Sequence, residues 1–146
     1  MSPPSPDTRA DLATRLRLAV TRLARRLRQQ TESRISPTQQ SALATIERQG
    51  PLTLGELAAV EQVQPPTITA AVGRLQEQGL VTRMGDTADR RVTRVEITPA
   101  GSRLLEESRS RKNAYLALRL RGLSASDRST LEAAAGIFEG MLEDTP

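Results

Sequence analysis

Pro66-Thr-Ile-Thr-Ala-Ala-Val-Gly-Arg-Leu-Gln-Glu-Gln-Gly-Leu-Val81 is the stretch of this 146-residue chain that decides its fold. Its apolar residues recur at the spacing of an amphipathic helix, which predicts a helix over residues 67–78. Pro65 and Pro66 fit the start of that helix, because the first backbone amides of a helix are unpaired in any case. Gly79 predicts its end. The inward face of this helix is expected to consist of Ile68, Ala71, Val72 and Leu75.

Two further helix starts precede this stretch. Ser36-Pro37-Thr38-Gln39 is a capping box with proline at the first helical position, and it predicts a helix from about Pro37 to the stop at Gly50-Pro51. Thr53-Leu-Gly-Glu56 is a second capping box, which predicts a short helix.

A β-hairpin is predicted on the other side of the stretch. Residues 80–84 and 92–97 are short β-type runs, and the polar segment 85–91 between them is typical of a hairpin tip. Residues 36–98 thus read helix, short helix, turn, helix, hairpin. That order is typical of a winged helix-turn-helix, in which the second helix of the pair enters the major groove of DNA and the hairpin, or wing, reaches the adjacent minor groove.

The segments that flank this lobe carry long apolar faces. Residues 8–30 show an apolar stripe at helical spacing, a fifth helix is predicted from Thr98-Pro99 to about Leu120, and a sixth follows Ser124. Their apolar surface exceeds what one small core can cover, which favours a homodimer. The expected interface residues are Leu12, Leu16, Leu116, Leu120, Leu131, Phe138 and Leu142.

The chain is therefore predicted to be mainly α with a small β-hairpin wing, in one domain of four parts. These are a disordered lead (1–7), a dimerisation helix (8–35), a winged helix-turn-helix DNA-binding lobe (36–98) and dimerisation helices (99–146).

The composition excludes several classes of chemistry. The chain has no cysteine and no histidine, which excludes disulfides, thiol redox sensing, a Ser-His-Asp triad and the usual metal sites. The paired acids at 106–107 and 143–144 have no nucleophile or glycine-rich loop near them in sequence. We therefore expect no enzymatic activity, no metal and no cofactor.

The sequence offers no route into or across a membrane. No apolar run approaches the ~20 residues that a spanning helix needs, and residues 1–6 lack the basic and apolar regions of a secretory signal. A cytoplasmic location is the expectation.

Four motifs together carry a family resemblance. They are Thr53-Leu-Gly-Glu-Leu-Ala58, the stretch 66–81, the tip Asp89-Arg-Arg91 and the run Ile97-Thr-Pro-Ala-Gly101. In this order and spacing they resemble the multiple-antibiotic-resistance regulator (MarR) family over about residues 8–142.

The resemblance implies a homodimeric transcriptional regulator, commonly a repressor, that binds a pseudo-palindromic operator in double-stranded DNA. It also implies that a small organic ligand, often anionic or phenolic, binds between the dimerisation region and the DNA-binding lobes and weakens DNA binding. A winged helix used only for protein–protein contact, and a constitutive regulator without a ligand, remain as alternatives.

The recognition helix departs from a common pattern of that family. Many relatives carry a long polar residue at the position of Ala70, and with Gly73 one turn on, the centre of the outward face has no long donor. Such a face can approach thymine methyl groups but cannot make a bidentate guanine contact, so DNA shape is expected to contribute to specificity. The candidate contacts are Gln64, Pro66, Thr67, Thr69, Ala70 and Arg74.

The wing tip supplies the second set of candidates. Arg90 and Arg91 are expected at the tip, where one arginine inserts into the minor groove while Asp89 holds the other, and the family resemblance favours Arg91 for the insertion. Arg94 is a candidate for a phosphate contact. The alternative for this segment is a solvated turn with a local ion pair. The helix starts at Ser36, Thr38 and Thr53 are further candidate phosphate contacts, because helix N-termini offer amide donors to anions.

The net charge of +4 does not lie on the predicted lobe. Residues 1–35 hold eight arginines and three acids, residues 36–98 six arginines and seven acids, and residues 99–146 seven basic and seven acidic residues. DNA binding is therefore expected to rest on a few placed arginines, while the basic first helix adds steering or favours an anionic ligand.

Overall fold

The computed structural model describes residues 1–3, 5–31, 34–89 and 91–143. Its elements run in the order α1 (Pro6–Gln29), α2 (Pro37–Gln49), β1 (Leu52–Thr53), α3 (Leu54–Glu61), α4 (Pro65–Glu77), β2 (Val81–Gly85), β3 (Thr93–Ile97), α5 (Pro99–Arg121) and α6 (Ala125–Glu143). This confirms the predicted class, mainly helical with a small β wing.

The predicted N-caps of α2 and α3 are present, and the capping box is complete at α2, whereas at α3 the Thr53 half is found and the Glu56 carboxylate pairs with Arg94. The Oγ of Ser36 accepts a hydrogen bond from the amide of Gln39 (3.2 Å), and the Gln39 side chain accepts one from the amide of Ser36 (3.3 Å), so both halves of the capping box form. The hydroxyl oxygen of Thr53 accepts a bond from the amide of Glu56 (3.1 Å) at the start of α3. These bonds satisfy amides that a helix start otherwise leaves unpaired, and they fix where α2 and α3 begin.

The expected disordered lead, residues 1–7, is wrong at its end. Helix α1 begins at Pro6, because the Oγ of Ser5 accepts a bond from the amide of Thr8 (3.4 Å) and proline takes the first helical position. The same tolerance of proline moves the start of α4 to Pro65, two residues before the predicted start.

The predicted two-stranded hairpin is a three-stranded antiparallel sheet in the order β1-β3-β2. Strand β1 pairs Leu52 with Val95 and Thr53 with Arg94. A strand of two residues is too short to show the alternation from which strands are predicted, and its pairing partner lies some 40 residues away along the chain. Leu52 is buried by this pairing, which attaches the wing to the start of α3.

The hydrophobic core lies entirely between Ile35 and Leu105. Helices α2, α3 and α4 pack on one another, with the sheet beside them and the first turns of α5 against it. Gly101 permits the close approach of α5, because a Cβ there would overlap the carbonyl oxygen of Leu80 and lie 2.7 Å from the side chain of Ile97. This packing explains why the Ile97–Gly101 run ends in glycine.

Helices α1 and α6 lie outside this core. Neither contains a buried residue, and both expose large apolar side chains. Within the described part of the chain, no helix combines the length and apolarity that crossing a membrane would need.

Candidate DNA-binding site

Helix α4 has the inward face that its sequence predicts. Ile68, Val72 and Leu75 are fully buried and Ala71 is 5% exposed, so four residues anchor the helix on α2 and α3. Gly79, with φ of +72°, reverses the chain after α4 and leads into β2. A left-handed backbone at this point favours glycine over other residues.

The outward face of α4 brings five of the candidate contacts to one surface. All five are solvent-exposed: Pro66, Thr67, Thr69, Ala70 and Arg74. The sixth, Gln64, is also exposed. It forms the N-cap of α4 without a side-chain capping bond, so its side-chain amide can extend outward. The hydroxyl of Thr69 donates to the carbonyl of Pro65 (3.0 Å), which leaves its oxygen available as an acceptor.

The centre of this face carries only small side chains, and packing within the lobe does not require them. A Cβ at Gly73 would meet no atom within 4 Å, so the fold itself does not require glycine there. Ala70 is exposed beside it. The small side chains let the backbone of α4 come close to a partner surface, as the sequence suggests.

A carboxylate ties the turn before α4 to α2, and sequence reasoning missed it. Glu61, the last residue of α3, accepts hydrogen bonds from the hydroxyls of Ser41 (2.6 Å) and of Thr45. Thr45 is buried, and Arg48 also donates to its hydroxyl (3.3 Å). Gln62 then takes a left-handed conformation (φ 55°) and turns the chain toward α4. The contact fixes how α4 is held relative to α2.

Backbone-to-carboxylate bonds shape the wing loop. The amide of Asp86 donates to the carbonyl of Val92 (2.9 Å), and a side-chain oxygen of Asp86 accepts from the amide of Ala88 (2.9 Å). The amide of Ala88 holds the pKa of Asp86 below its ordinary value, and the guanidinium of Arg94 lowers it further. The loop is thus fixed by an ionised carboxylate.

Asp89 binds Arg91, which is the arginine that the sequence analysis favours for insertion and not the one that it expects Asp89 to hold. One carboxylate oxygen of Asp89 accepts from both the amide (3.0 Å) and the Nε (3.2 Å) of Arg91. The Arg91 side chain is nevertheless 91% exposed, so the bond orients the guanidinium without burying it. Arg90 lies outside the described residues.

Arg94 is engaged by two carboxylates rather than presented alone. Its Nε lies 3.3 Å from Asp86 in the wing loop, and its Nη1 lies 3.4 Å from Glu56 in the first turn of α3. The guanidinium, 34% exposed, therefore braces the wing against α3. A phosphate contact by Arg94 would compete with these two partners.

Sequence reasoning missed a fourth arginine of the wing. Arg83 on β2 donates through Nε to the side-chain oxygen of Gln76 on α4 (2.8 Å), and both residues are exposed. The bond joins the wing to the recognition helix. The turn at Gly79 and the packing of β2 against α4 bring these two residues together, and no spacing rule applied to one element could have found the pair.

The three candidate phosphate contacts at helix starts differ in whether their hydroxyls are already used in capping bonds. The hydroxyls of Ser36 and Thr53 already cap their helices, whereas Thr38 is exposed in the first turn of α2. Ser36 and Thr38 lie at the start of α2, and Thr53 lies after its end. One anion therefore could not contact both helix starts at once.

Comparison with known proteins identifies the fold and its use. A family model described as "MarR family" matches residues 35–93. An HTH-type transcriptional regulator of Mycobacterium bovis is 36% identical over 141 residues, which is 96% of this chain and 99% of the relative. The chain belongs to the MarR family. The solved structure of a MarR family protein from Bacillus stearothermophilus, 28% identical, superposes with a TM-score of 0.82 over 97% of this chain and 100% of that one.

Membership of the MarR family makes this protein a transcriptional regulator with a helix-turn-helix, and not an enzyme. A solved MepR mutant of Staphylococcus aureus is bound to an oligodeoxyribonucleotide. It matches 90% of this chain and 97% of its own at 21% identity, with a TM-score of 0.70, and so shares the fold. The exposed face of α4 and the wing are therefore the candidate DNA-binding surface of this MarR protein.

Proposed function

We propose that this protein is a homodimeric repressor that binds a pseudo-palindromic operator and is released by a small anionic ligand. The observation that carries the proposal is the juxtaposition, on one lobe, of an exposed α4 face with an exposed and oriented Arg91. A protein that acts on operator DNA works where that DNA is, so the cytoplasm is its proposed location.

The DNA contact is divided between helix and wing. We infer that α4 enters the major groove with Gln64, Thr67, Thr69 and Arg74 as its polar contacts, while Ala70 and Gly73 allow close approach. Arg91 enters a minor groove that is narrow and strongly negative, with Asp89 holding it in the required direction. Arg90 is proposed as its neighbour at the tip, and Arg94 as the brace of the wing.

The uncovered apolar faces support a dimer. Leu12 is 52% exposed, Leu131 47%, Phe138 37% and Leu142 76%. Leu120 is 37% exposed, while Leu16 and Leu116 are partly buried. Exposed apolar side chains of this size on three long helices, α1, α5 and α6, are typical of an interface between subunits. A symmetric dimer would also match the two half-sites of a pseudo-palindrome.

A cavity between the DNA-binding lobe and helix α5 supports the ligand part of the proposal. It has a volume of about 310 Å³ and lies among the segment after α1, the start of α2 and the first half of α5. Among the described residues that line it are three arginines, Arg34, Arg103 and Arg111, and one acid, Glu107. Three cations facing one carboxylate favour an anionic ligand. Tyr115 and Phe138, the candidates for an aromatic wall, do not line it.

The test is a gel-shift titration with the DNA upstream of the protein's own gene, in parallel with a shuffled sequence of equal length. Selective retardation at nanomolar protein supports the operator reading. Equal affinity for both sequences would leave the alternative of a protein-interaction module.

The ligand reading is tested on the same complex. Small aromatic and aliphatic carboxylates, added at millimolar concentration, are expected to release the DNA from the native protein but not from the Arg103→Gln, Arg111→Gln double variant. Release from neither protein by any anion tried would favour the constitutive regulator.

A further inference from the structure

The cavity of about 310 Å³ between the DNA-binding lobe and α5 contains hydrogen-bond acceptors as well as arginines. Gln78, the C-cap residue of α4, lines this cavity, and its Nε2 donates to the backbone carbonyl of Arg34 at 3.1 Å. Because a carbonyl oxygen only accepts hydrogen bonds, this contact identifies which end of the side-chain amide is the donor. The Oε1 of Gln78 is therefore an acceptor at the wall of the cavity.

Gln40 on α2 and Ser108 on α5 form a second polar pair in the same lining. The Nε2 of Gln40 donates to the Oγ of Ser108 at 3.1 Å, and Ser108 is buried. With Nε2 as the donor, the Oε1 of Gln40 is a second amide acceptor, and the lining residue Glu107 adds a carboxylate. A ligand without hydrogen-bond donors would leave these oxygens unpaired, whereas hydroxyl groups on the ligand would pair with them.

The residues of α5 that line the cavity follow one stripe of the helix. They recur at intervals of three and four residues, and they are Ala100, Arg103, Leu104, Glu107, Ser108 and Arg111. Side chains at this spacing share one face of a helix. At 1.5 Å per residue, Arg103 and Arg111 are about 12 Å apart along the axis, and Glu107 is midway between them. The stripe thus has a cation at each end and an acceptor at its middle.

The lining contains aliphatic side chains and no aromatic ring. Tyr115 and Phe138 are the only aromatic residues of the chain, both lie in its described part, and neither lines the cavity. An aromatic ligand would therefore find no ring of the same subunit to stack on. The apolar lining residues include Ile35 and Leu80, which are buried and leave the polar groups to determine which ligand binds.

We propose that the ligand is a small aliphatic dicarboxylate that carries hydroxyl groups between its two carboxylates; this inference rests on the ligand-released repressor proposed above. The two carboxylates pair with Arg103 and Arg111, because guanidiniums bind carboxylates with charge-assisted hydrogen bonds. The hydroxyls donate to Glu107 and to the Oε1 of Gln78. Hydroxyls suit the site better than an ammonium group, which the three arginines of the lining would repel.

The contact with Gln78 gives this ligand a route to DNA binding. The backbone amide of Gln78 donates to the carbonyl of Arg74 at 3.1 Å and closes the last turn of α4. The side chain of the same residue ties that end of α4 to Arg34, in the segment before α2. A hydroxyl bonded to Gln78 therefore acts directly on the residue that ends the recognition helix.

Matched pairs of diacids test the proposed class of ligand. Isothermal titration calorimetry on the native protein compares D-glucarate and galactarate with adipate, and L-tartrate with succinate; each counterpart has the same carbon chain and no hydroxyls. We expect at least one hydroxylated diacid to bind at least about tenfold more tightly than its counterpart, as two hydrogen bonds of ordinary strength would give. Terephthalate, a rigid aromatic diacid, should bind more weakly than that hydroxylated diacid. The proposal is overturned if no hydroxylated diacid shows this preference, or if terephthalate binds as tightly.

A matched pair of glutamine variants tests the contact with α4. Gln78→Leu is expected to reduce the preference for the hydroxylated diacid over its counterpart at least about threefold, because it removes one partner of the hydroxyls and none of the arginines. Gln49→Leu changes an exposed glutamine at the end of α2 that does not line the cavity, and it should leave the preference unchanged. Equal preferences in the two variants overturn the proposal. Circular dichroism establishes that both variants are folded.

The gel-shift titration separates this inference from the proposed function. Release of the operator by adipate or terephthalate as readily as by the hydroxylated diacids supports release by an anion and overturns the class of ligand proposed here. Tight binding of a hydroxylated diacid to a protein that retards no operator supports the ligand site and contradicts the proposed repressor.

Discussion

At the scale of single residues, the wing tip presents an arginine side chain that is both exposed to solvent and held in one direction. Arg91 is almost fully exposed, yet its amide and its Nε both donate to Asp89. An exposed ion pair of this kind contributes only about 0–1 kcal/mol to folding. Its value for binding is different, because an oriented guanidinium loses less rotational freedom when it enters a groove.

Replacing Arg91 should therefore affect binding and leave folding alone. Arg91→Ala is expected to weaken operator affinity by at least about tenfold, ~1.4 kcal/mol, as measured by fluorescence anisotropy. The melting temperature and the dimer should not change. Arg121→Ala removes an exposed arginine from the end of α5 and is the control. Equal losses in the two variants would mean that only net charge matters.

The small side chain at position 70 should set the base preference. In a selection from random DNA, Ala70→Arg is expected to add a preference for guanine in each half-site, because an arginine there could donate to its O6 and N7. Glu77→Arg adds the same side chain two turns further along the same face, at the last residue of α4, and should raise affinity without a new preference at the bases that position 70 faces. An unchanged base preference in the Ala70 variant would exclude contact between position 70 and the bases.

The pKa of Asp86 gives the wing a pH dependence with a definite sign. Because this pKa is lowered in the folded protein, the ionised carboxylate stabilises the wing above the ordinary value of 3.8, and the contribution is lost as pH falls through the lowered value. Carboxyl-carbon NMR should therefore follow the titration below pH 3.8.

The cause of that lowered pKa can be tested in the same experiment. Arg94→Gln is expected to raise the pKa of Asp86 part of the way back, while the amide of Ala88 continues to hold it down. Arg83→Gln, whose arginine bonds Gln76 instead, should leave it unchanged. The assignment fails if both variants shift the pKa equally.

At the scale of the elements, the lobe is held together by contacts that spacing rules do not contain. The caps of α2 and α3, the inward face of α4 and the end of α4 at Gly79 follow from patterns of three or four neighbouring residues, and these predictions are confirmed. The bonds of Glu61 to α2 join residues 16 and 20 positions apart, and the pair of Arg94 with Glu56 spans 38.

What could be predicted from the sequence therefore ends where one element touches another. The candidate residues of α4 and the wing could be named from their place in the motif order. The engagement of Arg94 by Asp86 and Glu56, and the third strand at Leu52, depend on the sheet register. Register is a property of packed strands, and two residues such as Leu52 and Thr53 carry no periodic signal of it.

The link between α3 and α2 should be measurable as stability. Glu61→Ala leaves the buried hydroxyl of Thr45 without its carboxylate acceptor and is expected to lower the free energy of unfolding by about 1–3 kcal/mol. Glu61→Gln keeps an acceptor oxygen and should lose less. Urea denaturation gives both values, and Glu77→Ala, at an exposed position on α4, provides the baseline. A loss in Glu61→Ala no greater than that baseline would exclude a structural role for the contact.

At the scale of the whole molecule, the core and the arms divide the chain. Core residues run from Ile35 to Leu105, whereas α1 and α6, the two arms, contain no fully buried residue. Excess positive charge also lies on the first of these arms and not on the lobe. If α1 and α6 pack against a second subunit, as proposed, the stability of these helices is expected to depend on protein concentration.

Charging the apolar face should separate the subunits. Phe138→Glu is expected to raise the dissociation constant of the dimer by at least about a hundredfold, ~2.8 kcal/mol, as measured by light scattering across a dilution series. Glu132→Gln, also exposed on α6, should leave the dimer intact. A Phe138 variant that stays dimeric at low concentration would place the interface elsewhere.

Helix α5 is continuous from Gly101, which packs closely against the backbone of Leu80, to Leu116 and Leu120, which are expected at the subunit interface. Its 23 residues make a rod of about 35 Å, at 1.5 Å per residue. A rigid rod turns a small angular error into a large displacement, and a tilt of ~10° at one end moves the other by about 6 Å over that length. Successive major grooves on one side of B-DNA lie ~34 Å apart. Helix α5 is thus a lever nearly as long as one helical repeat of DNA. A small shift at the end near Leu120 would displace the opposite end of α5, and with it the lobe, far enough to carry α4 out of register with the groove.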